Sequence, residues 1–316
     1  MTDVLIFGQA HWGRHIAAAL NSRTAGFRAS VVQPRAYPSL LLAPPRHRRV
    51  ALMRVGYRIG ATTIRGRIFD AYWSMLRARL PSAVRCHYWI GTDVLNTLDE
   101  ARAGTLRRSA VASSKDDLHL ADAPWLATEL GSIGIEATAA PVPLPGRTSG
   151  AVPPLPATFS VLTYAPAARF AFYGGPLVVE AARRRSEIRF DVVGSESTVD
   201  PSAPPNVTWH GWVSDMKPRY AAATVVARVP VHDGLGSTVV EALLNARHVI
   251  YNQPLQHVRT ISPTTTDTLV DAIDEFHEAH RKGRLGPNLA GREWALSEFD
   301  DEKLADDLAS LLLGRA

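Results

Sequence analysis

The sequence predicts an α/β protein made of two doubly wound parallel sheets in succession. Three observations carry this. Short apolar runs end in glycine, as in Val4-Leu5-Ile6-Phe7-Gly8, the pattern of strands buried on both faces. Such runs alternate with stretches of helical periodicity, the order that puts helices on both sides of a sheet. Residues 141–156, with six prolines, then interrupt the alternation, which starts afresh beyond them.

In order, the strand at 4–7 precedes a helix over 15–20 and strands over 29–33 and 50–55. Residues 69–80 have apolar side chains at helical spacing and stop at Pro81; residues 86–90 form a strand closed by Gly91-Thr92-Asp93. Pro124 opens a helix over 123–130, at a position where its missing N–H costs nothing. Beyond the proline stretch, strands over 159–163, 190–193, 207–210, 224–229 and 248–252 accompany helices over 176–185 and 237–244. Helices over 266–280 and 301–313 follow. The expected division is a first Rossmann-like domain at 1–145, a linker at 146–157, a second such domain at 158–295 and a terminal helix at 296–316. Two such halves imply a cleft between them.

A chain of 316 residues holds two domains, and 46% hydrophobic with 21% charged residues excludes a disordered chain. Cys86 is the one cysteine, so no intramolecular disulfide forms, which suits a reducing cytosol. Asp3 precedes a short apolar run, unlike a signal peptide, and no stretch approaches the ~20 apolar residues of a membrane span. The expected location is cytoplasmic, with a peripheral membrane contact left open. Charge is unevenly divided: residues 1–150 carry a net +9 and residues 151–316 a net −4. Ten arginines lie between Arg46 and Arg85. Arginine-rich codon usage produces such a half, as does an anionic partner such as a phosphate, a nucleic acid or an acidic membrane surface.

The most informative motif is His232-Asp233-Gly234-Leu235-Gly236-Ser237-Thr238-Val239-Val240-Glu241, between a strand and a helix. It sits at the carboxyl end of the strand, where open α/β sheets bind ligands. Gly234 and Gly236 admit close approach, and the helix's first N–H groups suit a diphosphate. A carboxylate before the helix (Asp233) grips sugar hydroxyls, and one two turns down (Glu241) binds a ribose diol. The same pattern also serves a purely structural turn, with Ser237 or Thr238 as its cap. In Gly8-Gln9-Ala10-His11-Trp12-Gly13 neither the P-loop nor the dinucleotide order is present. Asp93 either binds a substrate hydroxyl or caps the helix after it, and His87 reads as a core histidine. No His/Cys/Asp cluster has metal-ligand spacing, and no Gly-x-Ser-x-Gly elbow of a serine hydrolase exists.

Residues 158–252 resemble the second domain of retaining glycosyltransferases of the family 4 (group 1) type, which have the GT-B fold. The segments that carry the resemblance are VLTYAP (161–166), YGGPLVVEAARR (173–184), IRFDVVGS (188–195), NVTWHGWVSDM (206–216) and ARVPVHDGLGSTVVEALLNARHVIYN (227–252). HYWIGTDVL (87–95) and residues 121–145 resemble the same family. The resemblance implies that Asp233 contacts the transferred sugar, Glu241 the ribose, and the Gly236-Ser237-Thr238 backbone the diphosphate. Gly234 is counted with them among the donor-binding residues, where its backbone comes close to the ligand. It further implies that Val213 meets the nucleobase through its backbone and that Arg169 faces the leaving diphosphate. Gly13 then approaches the donor phosphates, His11 contacts acceptor or sugar, and Asp93 binds the acceptor hydroxyl or orients the sugar. The family's lysine near Arg169 is missing, its first acid is more often Glu, and Asn245-Ala246-Arg247-His248 replaces a turn with Gly, where Asn245 tolerates the left-handed conformation.

The function so implied is transfer of a sugar from a nucleoside-diphosphate sugar to an acceptor hydroxyl, with retention and without metal or cofactor. The basic half makes the expected acceptor anionic: a lipid-linked phosphate, a polymer or modified DNA. The terminal helix is expected to cross back to the first domain. The rival expectations are a sugar-nucleotide epimerase or hydrolase of the same fold, and an inactive binding module.

Overall fold

The computed structural model describes residues 1–23, 26–42, 49–60, 63–144 and 150–314. Residues 145–149, which hold most of the expected start of the linker, lie outside them, as do Arg46 and Arg48. The chain divides into two compact units, Met1–Gly146 with Phe299–Ala316, and Arg147–Glu298. Each is an α/β unit around a six-stranded sheet in which every pairing is parallel.

In the first unit the order is β1 (Thr2–Gly8), α1 (Ala10–Arg23), β2 (Phe27–Val31), α2 (Tyr37–Leu42), β3 (Arg49–Val55) and α3 (Ile64–Arg79). There follow β4 (Val84–Trp89), α4 (Thr92–Arg102), α5 (Arg108–Ser113), β5 (Leu118–Ala121), α6 (Pro124–Gly131) and β6 (Thr138–Ala139). The strands lie in the order β2-β1-β3-β4-β5-β6. Alternation along β1 explains why its whole run is apolar. Val4 and Ile6 enter one core with Ile16 and Leu20 of α1, while Phe7 enters the opposite core with Phe69, Tyr72 and Trp73 of α3.

Gly8 ends β1 at φ +109°, and a Cβ there would stand 2.2 Å from the Val55 carbonyl oxygen, so only glycine fits this turn. α1 begins at Ala10, five residues earlier than its apolar spacing predicts.

The second unit runs β7 (Ser160–Tyr164), α7 (Gly175–Arg184), β8 (Arg189–Val193), β9 (Val207–Trp209), α8 (Lys217–Ala221), β10 (Val225–Arg228) and α9 (Ser237–Leu244). It continues with β11 (His248–Tyr251), β12 (Arg259–Thr260), α10 (Thr266–Arg281) and α11 (Leu289–Glu298). The sheet order is β12-β11-β10-β7-β8-β9. Chain order therefore reverses between β7 and β10, which makes the carboxyl ends of these two strands the switch point where open sheets bind ligands. Their core unites Val161, Phe190, Val225 and Ile250 with Val178 of α7 and Leu269 of α10.

Two devices tie down the connections. Arg247 is fully buried, and its guanidinium donates to the carbonyls of Pro153, Pro154, Asn245 and Ala223, so the proline-rich stretch is anchored by a cation that satisfies orphan carbonyls. The left-handed residue of the turn after α9 is Ala246, at φ 53°, whereas Asn245 closes the helix at φ −89°. The expectation that Asn245 takes the left-handed conformation is thereby corrected. α12 (Asp301–Leu313) belongs to the first unit. Leu308 and Leu312 enter its core, and Asp301 accepts from the Leu144 N–H at 3.0 Å.

Candidate functional site

The carboxyl ends of β7 and β10 are brought together by their loops. After β7 the chain makes a 3-10 turn at Ala167–Arg169 and reaches Gly174. There φ is +78°, and a Cβ would lie 2.4 Å from the Val229 carbonyl oxygen. The Val231 N–H donates to the Phe172 carbonyl at 2.8 Å, which seals the β7 loop against the residues that follow β10. Arg169 lies half-buried with its guanidinium carbon 3.8 Å from the Phe172 ring centroid.

Out of β10 comes Arg228, the last residue of the strand, which donates through Nε and Nη2 to Asp233 Oδ2 and Oδ1 at 2.8 and 2.9 Å. The pair is a bidentate fork, the strong geometry for a guanidinium and a carboxylate. Arg228 is 7% exposed and also stacks over Tyr173 at 4.5 Å. Burial by itself would lower the Arg228 pKa; the adjoining Asp233 charge outweighs that and holds it above the ordinary arginine value. The Tyr251 hydroxyl donates to the Gly234 carbonyl at 2.8 Å and lies 3.3 Å from Asp233 Oδ2. Sequence reasoning missed Arg228 and Tyr251. The available signal was a charged residue inside the apolar run 225–229.

Gly236 is the N-cap of α9, and a Cβ there would meet Asp233 Oδ2 at 3.0 Å and Arg228 Nε at 3.3 Å. Glycine thus leaves room for the ion pair. Ser237 and Thr238 open α9, where helix geometry supplies their N–H groups with no carbonyl. The Thr238 hydroxyl is buried and has no hydrogen-bond partner among the described residues. About one turn along α9, Glu241 accepts from the Tyr220 hydroxyl at 2.8 Å, so α8 positions that carboxylate. The structure brings Arg169, Asp233, Gly234, Gly236, Ser237, Thr238 and Glu241 to the β7 and β10 ends and α9. Val213 lies half-buried in the stretch between β9 and α8.

The remaining expected residues belong to the first unit. His11 is exposed in the first turn of α1, its ring 4.8 Å from that of His15. Gly13 lies inside α1, not in a loop. Its N–H donates to the Gln9 carbonyl at 2.9 Å, and a Cβ would press on Ile6 and Val31 at 3.1 and 3.2 Å. Close helix-to-sheet packing explains this glycine, and its N–H is already used. Asp93 is 3% exposed and accepts from the Gly91 and Ile90 N–H groups at 2.9 and 3.1 Å. Burial raises its carboxyl to about 6, against the lowering effect of those hydrogen bonds. It holds the β4–α4 turn together.

His87 is buried, bonded to Asp117 Oδ2 at 2.9 Å and to Arg54 at 3.0 Å, and burial keeps its pKa well below the usual value. Among the described residues no three of His, Cys, Asp and Glu gather in a way that holds a metal ion, and no helix is long and apolar enough to cross a membrane.

No protein family's sequence profile matches the chain, and no curated protein matches it. Solved structures do. HepE of Anabaena, solved in complex with UDP-glucose, superposes with a TM-score of 0.68 at 13% identity over 99% of both chains. Sucrose-phosphate synthase of Thermosynechococcus elongatus gives 0.68 at 14% over 98% of both chains. WaaG, a glycosyltransferase of lipopolysaccharide biosynthesis, gives 0.59 at 13% over 99% of this chain and 100% of its own. The fold defined by the two parallel sheets is therefore the GT-B fold of glycosyltransferases.

Proposed function

We propose that the chain is a glycosyltransferase that moves a sugar from a nucleoside-diphosphate sugar to a hydroxyl of an anionic acceptor, with retention of anomeric configuration. The observation that carries the proposal is the β10–α9 turn. A glycine-lined helix start with an orphan hydroxyl (Thr238) lies at the switch point of a parallel sheet, flanked by Asp233 and Glu241. The structural neighbour bound to UDP-glucose supports the same donor class.

In this reading the N–H groups of Ser237 and Thr238 hold the diphosphate, joined by that of Gly236 once it leaves the Tyr251 hydroxyl 3.4 Å away; Arg169 adds positive charge, Glu241 holds the ribose and Val213 meets the base. Asp233, braced by Arg228, still has acceptor lone pairs for sugar hydroxyls. The bond from the anomeric carbon to the diphosphate oxygen breaks, leaving an oxocarbenium-like sugar, and the acceptor oxygen bonds to that carbon on the same face. The acceptor's proton passes to the departing phosphate oxygen. The protein's work is electrostatic, aimed at charge growing on the leaving group. The first unit carries the acceptor, with His11 as its contact and Asp93 as a positioning residue of the β4–α4 turn.

A second reading, a nucleotide-binding module without transfer, is favoured by the Arg228 fork, which occupies both oxygens of Asp233. A calorimetric panel of UDP, GDP, ADP and dTDP tests the donor site, since a ligand that binds only the folded state stabilises it. One of the four is expected to bind and to lose affinity in Glu241→Gln; silence from all four rejects both readings. Release of nucleoside diphosphate in the presence of donor and acceptor, abolished in Asp233→Ala, separates the enzyme from the module.

A further inference from the structure

A polar cavity lies in the first unit, between α3 and α5. It encloses about 320 Å³, within the size range of small-ligand pockets. Arg67, Asp70, Ser74 and Arg77 recur along one face of α3 at intervals of three and four residues, and Ser109 and Ser113 stand on the α5 wall. Arg107 enters from the residue before α5, and Arg54 from β3. Four guanidiniums thus line the space with two carboxylates, Asp70 and Asp117, a formal surplus of two positive charges.

Both carboxylates are already neutralised. Asp70 is shared by Arg54 at 3.1 Å and Arg107 at 2.8 Å, and Asp117 by Arg85 at 2.6 Å and His87 at 2.9 Å. Three donors are left for a ligand. The Arg67 side chain is exposed and has no polar partner among the described residues, and neither has the Ser109 hydroxyl. Arg107 spends one Nη on Asp70 and is 43% exposed. Arg77 spans the cavity to the Ser113 carbonyl and fixes the separation of its walls.

We propose that this cavity binds a phosphate monoester, carried by a soluble small molecule or by a lipid headgroup. Guanidinium forks and hydroxyls match a tetrahedral oxyanion, and such bonds are the strong, directional kind. Size and chemistry argue against a nucleic acid. The wall from Arg67 to Arg77 is only ~15 Å long, and Trp73, the aromatic residue in the lining, is 4% exposed and offers no face to stack a base. The proposal does not rest on sugar transfer.

The test is calorimetry of the full chain with inorganic phosphate and glycerol 3-phosphate, and flotation with phosphatidylcholine vesicles with and without phosphatidic acid. Glycerol and pure phosphatidylcholine, neither of which carries a phosphate monoester or a net charge, are the controls. Two variants place a negative charge on opposite walls at exposed, unpartnered positions, Arg67→Glu and Ser109→Glu, and UDP binding is followed in parallel. Binding of the soluble esters, or capture by phosphatidic acid vesicles alone, supports the site and tells a soluble ligand from a lipid headgroup. Either variant is expected to weaken that binding about tenfold or more. No binding of any phosphate species, equal binding of the controls, or unchanged affinity in both variants overturns the proposal. A chain that fails to bind UDP leaves this readout intact.

Discussion

Arg228 and Asp233 are a buried pair whose members depend on each other. Removing one partner of such a pair strands the other charge, a cost of about 3–5 kcal/mol. Arg228→Met is therefore expected to lower stability by that amount, and adding Asp233→Asn to recover most of it. Denaturant titration of the four proteins checks the cycle, and a single variant as stable as the parent sinks the coupling. Asp93 makes a different demand. Its carboxyl rises from 3.8 to about 6 on folding, so the folded chain binds that proton more tightly. Its stabilising effect is full below about pH 4 and is lost as the pH rises through 6, a loss of about 3 kcal/mol. Asp93→Asn should flatten that slope between pH 4 and 7 in urea melts; a slope kept in full assigns the titration to another group. Ala246, at φ 53°, holds a conformation that costs an L-residue about 1–2 kcal/mol. Ala246 is also fully buried, so Ala246→Gly relieves that strain but deletes a buried methyl worth about 0.8 kcal/mol and loosens the unfolded chain; urea titration should find stability within about 0.5 kcal/mol of the parent.

At the scale of elements, α12 shows how much a short segment contributes. Leu308 is 2% exposed within the core shared with α1, so Leu308→Ala should cost about 2–5 kcal/mol of first-unit stability, read by hydrogen exchange in β1 and α1. A cost below 1 kcal/mol would mean the site collapses around the loss. Sequence periodicity found most of the long elements because burial on two faces writes itself as apolar runs. It missed β5, whose four residues, Leu-His-Leu-Ala, include a buried histidine. His119 donates its strand position to a polar row instead, stacked on His87 at 4.7 Å and bonded to Trp89. Tertiary partners decided that strand, and a local pattern carries no record of them. The same holds at the site. Gly234, Gly236 and the two acids are legible as a strand–helix turn, but the Tyr220 brace on Glu241 and the Tyr251 hydroxyl beside Asp233 join residues that only the fold brings near.

For the whole molecule, the charge excess of the first half changes meaning once side chains are placed. Arg54, Arg58 and Arg85 are paired with Asp70, Glu100 and Asp117, and Arg77 and Arg79 donate to backbone carbonyls. Pairing leaves the net +9 of residues 1–150 unchanged, because those carboxylates are already in the sum and an arginine that donates to a carbonyl keeps its charge; what it fixes is where the charge stands. Affinity for a polyanion should therefore fall with salt, with a slope of about −1 for each phosphate contacted. Titrations at about 50 and 200 mM salt check this; an affinity unchanged over that range would show that the basic half meets no polyanion.

The return of α12 to the first unit has a further consequence, for the order in which the protein is made. Residues 147–298 leave the ribosome as one contiguous block and have all their own partners at hand. The first unit emerges earlier yet must wait for Leu308 and Leu312, with the α1 face they cover exposed to water in the meantime. The second unit to be synthesised is then the first able to finish folding. During that interval the apolar stripe of α1 is the surface a chaperone would meet.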